Sequence, residues 1–277
     1  MNKLCFYQKP FTNITSYIEM IDLAVEYGHS ALEAFSMLEL ATPDFDKARK
    51  IREYADSKNV KFCCISVFAD FTSEDYDVAM ARLKDYVKIA QIIGSPYLHH
   101  TVLAEFENPK RVLCEKEKYF ELGIRAIREI YDYAKTLGVR TIYEDQGFIF
   151  NGVKGVGKLL EKVDREIGLV VDFGNIAQSG DCVTELIKAY PDKICQVHIK
   201  DVKITDAPLN ENSLVTIDNK YMTEVKLGTG DVKIKEALLL LKSIGYDGYM
   251  SAEFTAYDDK PETMKQGFKL INKYLMD

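Results

Sequence analysis

The sequence predicts an α/β fold, a single (β/α)8 barrel running through residues 1–277 as one domain. Three observations carry this expectation. Short β-branched or aromatic runs alternate with longer amphipathic stretches from end to end, which is the pattern of a parallel sheet. Eight such units fit a chain of 277 residues closed into a barrel. No Pro/Gly/Ser-rich linker, composition shift or internal repeat divides the chain.

The elements follow in order. The first strand is LCFYQ (4–8), followed by the helical pattern SYIEMIDLAVEYG that stops at Gly28. The second, ALEAF (31–35), leads into the helix DFDKARKIREYADSK. The third, VKFCCISVF (60–68), and the fourth, SPYLHHTV (95–102), are separated by a helix that ends at Gly94. The long helix YFELGIRAIREIYDYAKTLG closes at Gly138, and strand five, VRTIYED (139–145), follows it. A thin helix near 155–166 precedes strand six, IGLVVDF (167–173). Strand seven is ICQVHIK (194–200) and strand eight YMSAEF (249–254).

Bulk properties narrow the function. A net charge of −7 speaks against nucleic acid or an anionic membrane as a partner. The first residues lack a long apolar signal region, and no apolar run approaches the roughly 20 residues of a membrane span. The six cysteines, at 5, 63, 64, 114, 182 and 195, form no CxxC pair, so reduced thiols and a cytoplasmic location are expected.

In barrels of this kind the chemistry sits where strands end. Strand five ends in Glu144, strand six in Asp172, strand seven in His198 and strand eight in Glu253. A lone acidic residue at a strand end is usually a cap or an ion-pair partner. Four ligand-type residues on four neighbouring strands are another matter. Three carboxylates gathered at one mouth repel one another unless a cation offsets the cost. An oxygen-rich set with one imidazole suits Mn2+ best, with Mg2+, Co2+ or Zn2+ as alternatives.

The segments TIYEDQG, LVVDFGN, QVHIKD and GYDGYMSAEF resemble those of the sugar-phosphate isomerase/epimerase superfamily, the xylose isomerase-like TIM barrels. The similarity extends over GHSALEAF and LGTGDVKIKEALLLLKSIGYDGYMSAEF, and so over essentially the whole chain. The group includes ketose 3-epimerases, hydroxypyruvate isomerase-like proteins and inosose dehydratase or isomerase relatives. The resemblance implies that Glu144, Asp172, His198 and Glu253 hold one metal ion, and that Glu144 and Glu253 act as acid and base. The expected activity is isomerisation or epimerisation of a small sugar, polyol or sugar phosphate, by proton transfer next to a carbonyl through an enediolate.

Five further residues are candidate substrate contacts. His99 and His100 end strand four, and alternation sends only one of them inward; His100 is the one favoured. Asn175 stands where many relatives carry the histidine of a DxxH pattern, which weakens any multinuclear reading. Lys200 shares the face of His198 and would offset an oxyanion, grip a phosphate or remain a solvated rim lysine. Glu33 matches the family's strand-two glutamate, to bind a hydroxyl or hold another side chain. In GTGD (228–231) Asp231 reads as a helix N-cap rather than part of a phosphate site, and GVKGVGK (152–158) lacks the spacing of a phosphate loop. Phe68, Phe71, Phe106 and Phe148 are the available stacking platforms. The loops 103–118 and 201–226 are long enough to be lids.

Three other functions compete. One is a dehydratase of an inosose or dehydroshikimate-like ring, using the same metal. An endonuclease IV-type repair enzyme needs more than four histidines and a basic face. A barrel that binds sugar without turning it over would not need both glutamates. The sequence leaves the oligomeric state open, a homo-oligomer included.

Overall fold

The computed structural model describes residues 3–7, 14–73, 75–103, 109–253 and 260–276. Eight parallel strands close into a barrel. They are β1 (Lys3–Tyr7), β2 (Ala31–Phe35), β3 (Lys61–Val67), β4 (Tyr97–His100), β5 (Arg140–Glu144), β6 (Gly168–Asp172), β7 (Ile194–Ile199) and β11 (Tyr249–Ala252). Closure comes from β1 pairing with β11, Cys5 opposite Ser251. The helices are α1 (Tyr17–Glu26), α2 (Phe45–Ser57), α3 (Tyr76–Ile93), α4 (Pro109–Cys114), α5 (Lys116–Thr136), α6 (Gly152–Val163), α7 (Val183–Ala189), α8 (Ile234–Ser243) and α9 (Lys260–Met276). The expected α/β barrel is therefore present, with strand ends shifted by a residue or two.

Local chemistry explains the element boundaries. Asp75 starts α3 by accepting the N–H groups of Asp77 and Val78 at 3.1 Å. Gly94 ends that helix at φ +72°, and a Cβ there would collide with the Arg52 guanidinium, which donates to Ile93 O at 2.9 Å. The amphipathic helices bury Leu, Ile and Val against the outside of the barrel.

The barrel interior is layered. Its floor is apolar, made by Cys5, Cys63, Cys64, Ile142 and Val170. All six cysteines are free thiols, and the Cys5 and Cys63 sulfurs touch at 2.7 Å. Two residues beyond Cys5, Cys64, Ile142 and Val170 stand Tyr7, Ser66, Glu144 and Asp172, so the interior turns polar above this floor.

One expected lid has a different character. Residues 201–225 form a three-stranded antiparallel sheet of β8 (Asp201–Thr205), β9 (Leu214–Val215) and β10 (Tyr221–Val225). Of the other, 103–118, residues 104–108 lie outside the described residues, and α4 and the start of α5 make up most of the rest. Asp231 is not the N-cap of α8: Lys233 holds that position, while Asp231 accepts from Ile204 N at 2.8 Å and Lys203 Nζ at 2.6 Å. The N–H groups of Gly228 and Gly230 point at Asp201 Oδ2, at 2.9 and 2.8 Å. A carboxylate of the chain itself thus fills the turn that a phosphate would need. Among the described residues no helix is long and apolar enough to cross a membrane.

Candidate metal centre

Barrel order places β5, β6, β7 and β11 side by side, so their ends share one rim. Glu144, Asp172, His198 and Glu253 each offer one ligand atom, and these four atoms lie within 4.8 Å of one another. Asp172 and His198 are register partners across β6 and β7. His198 Nδ1 faces the carboxylates, 2.7 Å from Glu144 Oε1 and 3.8 Å from both Asp172 Oδ2 and Glu253 Oε2. All four side chains are almost closed to solvent.

Electrostatics match this crowding. Burial works against charging His198, but Glu33 and Glu144 outweigh it and hold its pKa well above the ordinary histidine range. Burial would raise Glu144, yet its hydrogen bond to His198 and the charges of His198, His99 and Lys200 bring it down to about 2. Asp172 goes the other way. Burial, with Glu144 and Glu253 adding to it, lifts its carboxyl to about 7 against the pull of Lys200 and His198.

Asp172 supplies the test of fit for a metal. Its Oδ1 is used by the N–H groups of Gly174 and Asn175, each at 2.8 Å. Its Oδ2 is buried without a hydrogen bond and ion-paired to Lys200 Nζ at 3.0 Å. An under-satisfied anion beside two more carboxylates and an imidazole, whose Nδ1 becomes a ligand on giving up its proton, fits a divalent cation. The cluster could therefore hold one metal ion.

The remaining candidates fall into distinct places. His99, opposite Ser66 in the register, turns inward, with Nδ1 3.0 Å from Ser66 Oγ and Nε2 4.0 Å from Glu144 Oε2. Burial holds its pKa below the ordinary value. His100 turns outward and is spent on Tyr143 OH and Thr101 O, both at 2.9 Å, with burial pressing its pKa to about 4. The preference for His100 is thus reversed by strand phase: His99 is the ring beside the carboxylates. Lys200 Nζ also pairs with Glu253 Oε2 at 3.2 Å. Asn175 sits in the turn after β6, its carbonyl accepting from Asn151 at 2.8 Å and its own Nδ2 buried without a partner. Glu33 is fully buried beneath His198, with Oε1 3.0 Å from Nε2. Of the aromatic platforms, Phe71 and Phe148 are buried, Phe68 is 47% exposed, and Phe106 lies outside the described residues.

Several residues of the site escaped sequence reasoning. Tyr7, ending β1, has its ring centroid 5.5 Å from that of His198. Ser66, Gln196 and Ser251 surround Glu33. The signal was strand alternation: Gln196 stands two residues before His198, and Ser251 two before Glu253.

With this geometry established, comparison with known proteins is informative. Residues 21–274 match the xylose isomerase-like TIM barrel family. The chain belongs to that family. An inosose dehydratase from Clostridium perfringens is 24% identical over 191 residues, 65% of this chain and 63% of that protein. The chain thus spans less than two thirds of that relative's length. A probable 3-DHS dehydratase from Bacillus anthracis, involved in petrobactin synthesis, superposes with a TM-score of 0.79 at 16% identity, covering 98% of each chain. D-psicose 3-epimerase from Clostridium cellulolyticum H10, solved with D-tagatose, gives 0.78 at 13% identity, covering 99% of this chain and 98% of that one. At such identities the structural likeness is one of fold. Dehydratases and epimerases both occur on this barrel.

Proposed function

We propose that this protein is a divalent-metal-dependent isomerase or epimerase of a small sugar or polyol, working by proton transfer next to a carbonyl. The observation that carries the reading is the position of Glu144 and Glu253. They occupy the outer two of four consecutive strands, with Asp172 and His198 between them. Two carboxylates can so approach one substrate carbon from different sides.

Glu144, Asp172, His198 and Glu253 would hold the ion, with Mn2+ favoured by three oxygen donors and one imidazole nitrogen. The ion would polarise a substrate carbonyl and so acidify the neighbouring C–H. One glutamate then takes that proton, and the other delivers a proton to the opposite face for epimerisation, or to the neighbouring carbon for isomerisation. Lys200, 3.2 Å from Glu253 Oε2, holds positive charge where negative charge grows on the substrate oxygen.

A second reading is dehydration of an inosose or dehydroshikimate-like ring. The sequence relatives named inosose dehydratase favour it. The first proton abstraction is the same; the β C–O bond then breaks, and the hydroxyl leaves as water with a proton from the acid.

Incubation with Mn2+ and a panel of ketoses and inososes in D2O tests both. The expected result is incorporation of deuterium into an isomer of the substrate, whereas loss of one water marks the dehydratase. Glu253→Gln should abolish exchange while circular dichroism stays native. Full exchange in that variant would sink the assignment.

A further inference from the structure

Glu33 lies below the candidate metal centre, closed to solvent, and reaches two of the site's rings. One contact is direct. The other passes through a hydroxyl. An ionised carboxylate can only accept hydrogen bonds. Both of its oxygens face His198 Nε2, at 3.0 and 3.2 Å. Gln196 Nε2 donates to Oε2 at 3.0 Å, and the Ser251 hydroxyl donates there too. The contact with His198 requires a proton on Nε2, which leaves the Nδ1 lone pair turned toward Glu144, Asp172 and Glu253 when the ring is neutral.

The second contact extends the argument. Ser66 donates its hydroxyl to Glu33 Oε1 at 2.7 Å, and a hydroxyl has one proton to give. Its 3.0 Å contact with His99 Nδ1 must then run from N–H to oxygen. A neutral His99 therefore carries its lone pair on Nε2. That atom is 4.0 Å from Glu144 Oε2, beyond hydrogen-bond length. His99 also lines a cavity of about 40 Å³ that borders Glu144 and Gln146. A water needs only about 10–15 Å³ of such space, so this cavity is large enough for a water or a hydroxyl group.

We infer that Glu33 sets the tautomers of two histidines at once, making His198 Nδ1 a metal ligand and His99 Nε2 the acceptor for a hydroxyl of the polyhydroxylated substrate. Glu33 and Ser66 are thus positioning residues. The substrate half of the inference rests on the proposed function; the tautomers do not.

Two-bond 1H–15N correlation spectra of histidine-labelled protein read the tautomers directly. In the Mg2+-loaded protein the expected pattern is protonated Nδ1 and bare Nε2 for His99, and protonated Nε2 for His198. In Ser66→Ala the His99 pattern should move toward Nε2–H, while the Mg2+ Kd stays within about twofold. In Glu33→Gln the Mg2+ Kd should rise about 10–100-fold, the usual cost of losing a ligand's hydrogen-bond partner. A His99 carrying its proton on Nε2 in the wild type overturns the inference, as does equal loss of Mg2+ affinity in both variants. Should Glu33→Gln not fold, the wild-type and Ser66→Ala spectra still decide the His99 relay. With a turned-over ketose or inosose in hand, Ser66→Ala should raise KM about tenfold with kcat changed less, and an unchanged KM removes His99 as acceptor. If the tautomers are as stated but no such compound is turned over, the proposed function fails and the tautomer assignment stands.

Discussion

Lys200 and Glu253 form an ion pair of 3.2 Å at the barrel rim, with side chains only 11% and 6% exposed. The same ammonium is 3.0 Å from Asp172 Oδ2. Four buried carboxylates, at 33, 144, 172 and 253, surround His198, and Lys200 is the second cation against them. Burial disfavours its charge, yet Asp172 and Glu253 hold its pKa well above the ordinary lysine range. Lys200 therefore does part of the charge balancing that a metal would share.

Lys200→Met should expose that role. Removing one partner of a buried ion pair costs about 3–5 kcal/mol, because the other charge is left uncompensated. The metal-free variant should lose stability of that order in urea titrations. Divalent ions should then stabilise the variant more than the wild type, since the carboxylates have lost a competing cation. Equal metal-induced stabilisation in both proteins would show that Lys200 does not share this balance.

Gly174 follows from the same lysine. A Cβ at position 174 would lie 2.7 Å from Lys200 Cγ and 3.0 Å from its Cε, although the backbone there, at φ −94°, would tolerate alanine. Gly174→Ala should cost about 1–3 kcal/mol by overpacking against a stem anchored at its far end. In the Lys200→Ala background the same change should cost less, with only the 3.0 Å approach to Val202 Cγ1 remaining. A double-mutant cycle by denaturant unfolding measures the coupling, and additive costs would refute the contact.

Metal binding has a thermal readout independent of activity. An ion that binds only the folded chain, at 100 times its Kd, adds about 2.7 kcal/mol. For a chain of this size that is a Tm rise of roughly 5–10 °C. Wild-type protein should show it with Mn2+, and Asp172→Asn should lose it because the orphaned Oδ2 is replaced. No shift in the wild type with Mn2+, Mg2+, Co2+ or Zn2+ would remove the metal reading.

The legibility of this site in the sequence has a physical basis. Charged residues closing apolar strands are conspicuous, and a barrel forces consecutive strand ends together, so Glu144, Asp172, His198 and Glu253 stood out. The phase of β4 did not. It has only four residues and is covered on both faces, so hydrophobic alternation gave no direction for His99 and His100. Ser66, Gln196 and Ser251 are small or neutral and read as ordinary strand residues until Glu33 is seen to need donors. The sheet in 201–225 was hidden by the polar turn residues between its strands.

His29 offers a pH test away from the candidate metal centre. Its ring packs against Phe268 at 4.3 Å and Phe6 at 5.8 Å between centroids, with Nδ1 3.3 Å from Leu4 O. Burial lowers its pKa more than the Leu4 carbonyl raises it. The folded state then binds the proton less tightly than the unfolded chain, whose histidine titrates near 6.5. The stability this ring contributes is fully present above about pH 6.5 and is lost as pH falls from there toward the lowered folded value. Urea midpoints at pH 7.5 and 5.5 should therefore fall more steeply in the wild type than in His29→Gln, the difference cancelling the other titrating groups. Parallel pH profiles would mean that the ring titrates alike in both states, and the burial argument for His29 would fail.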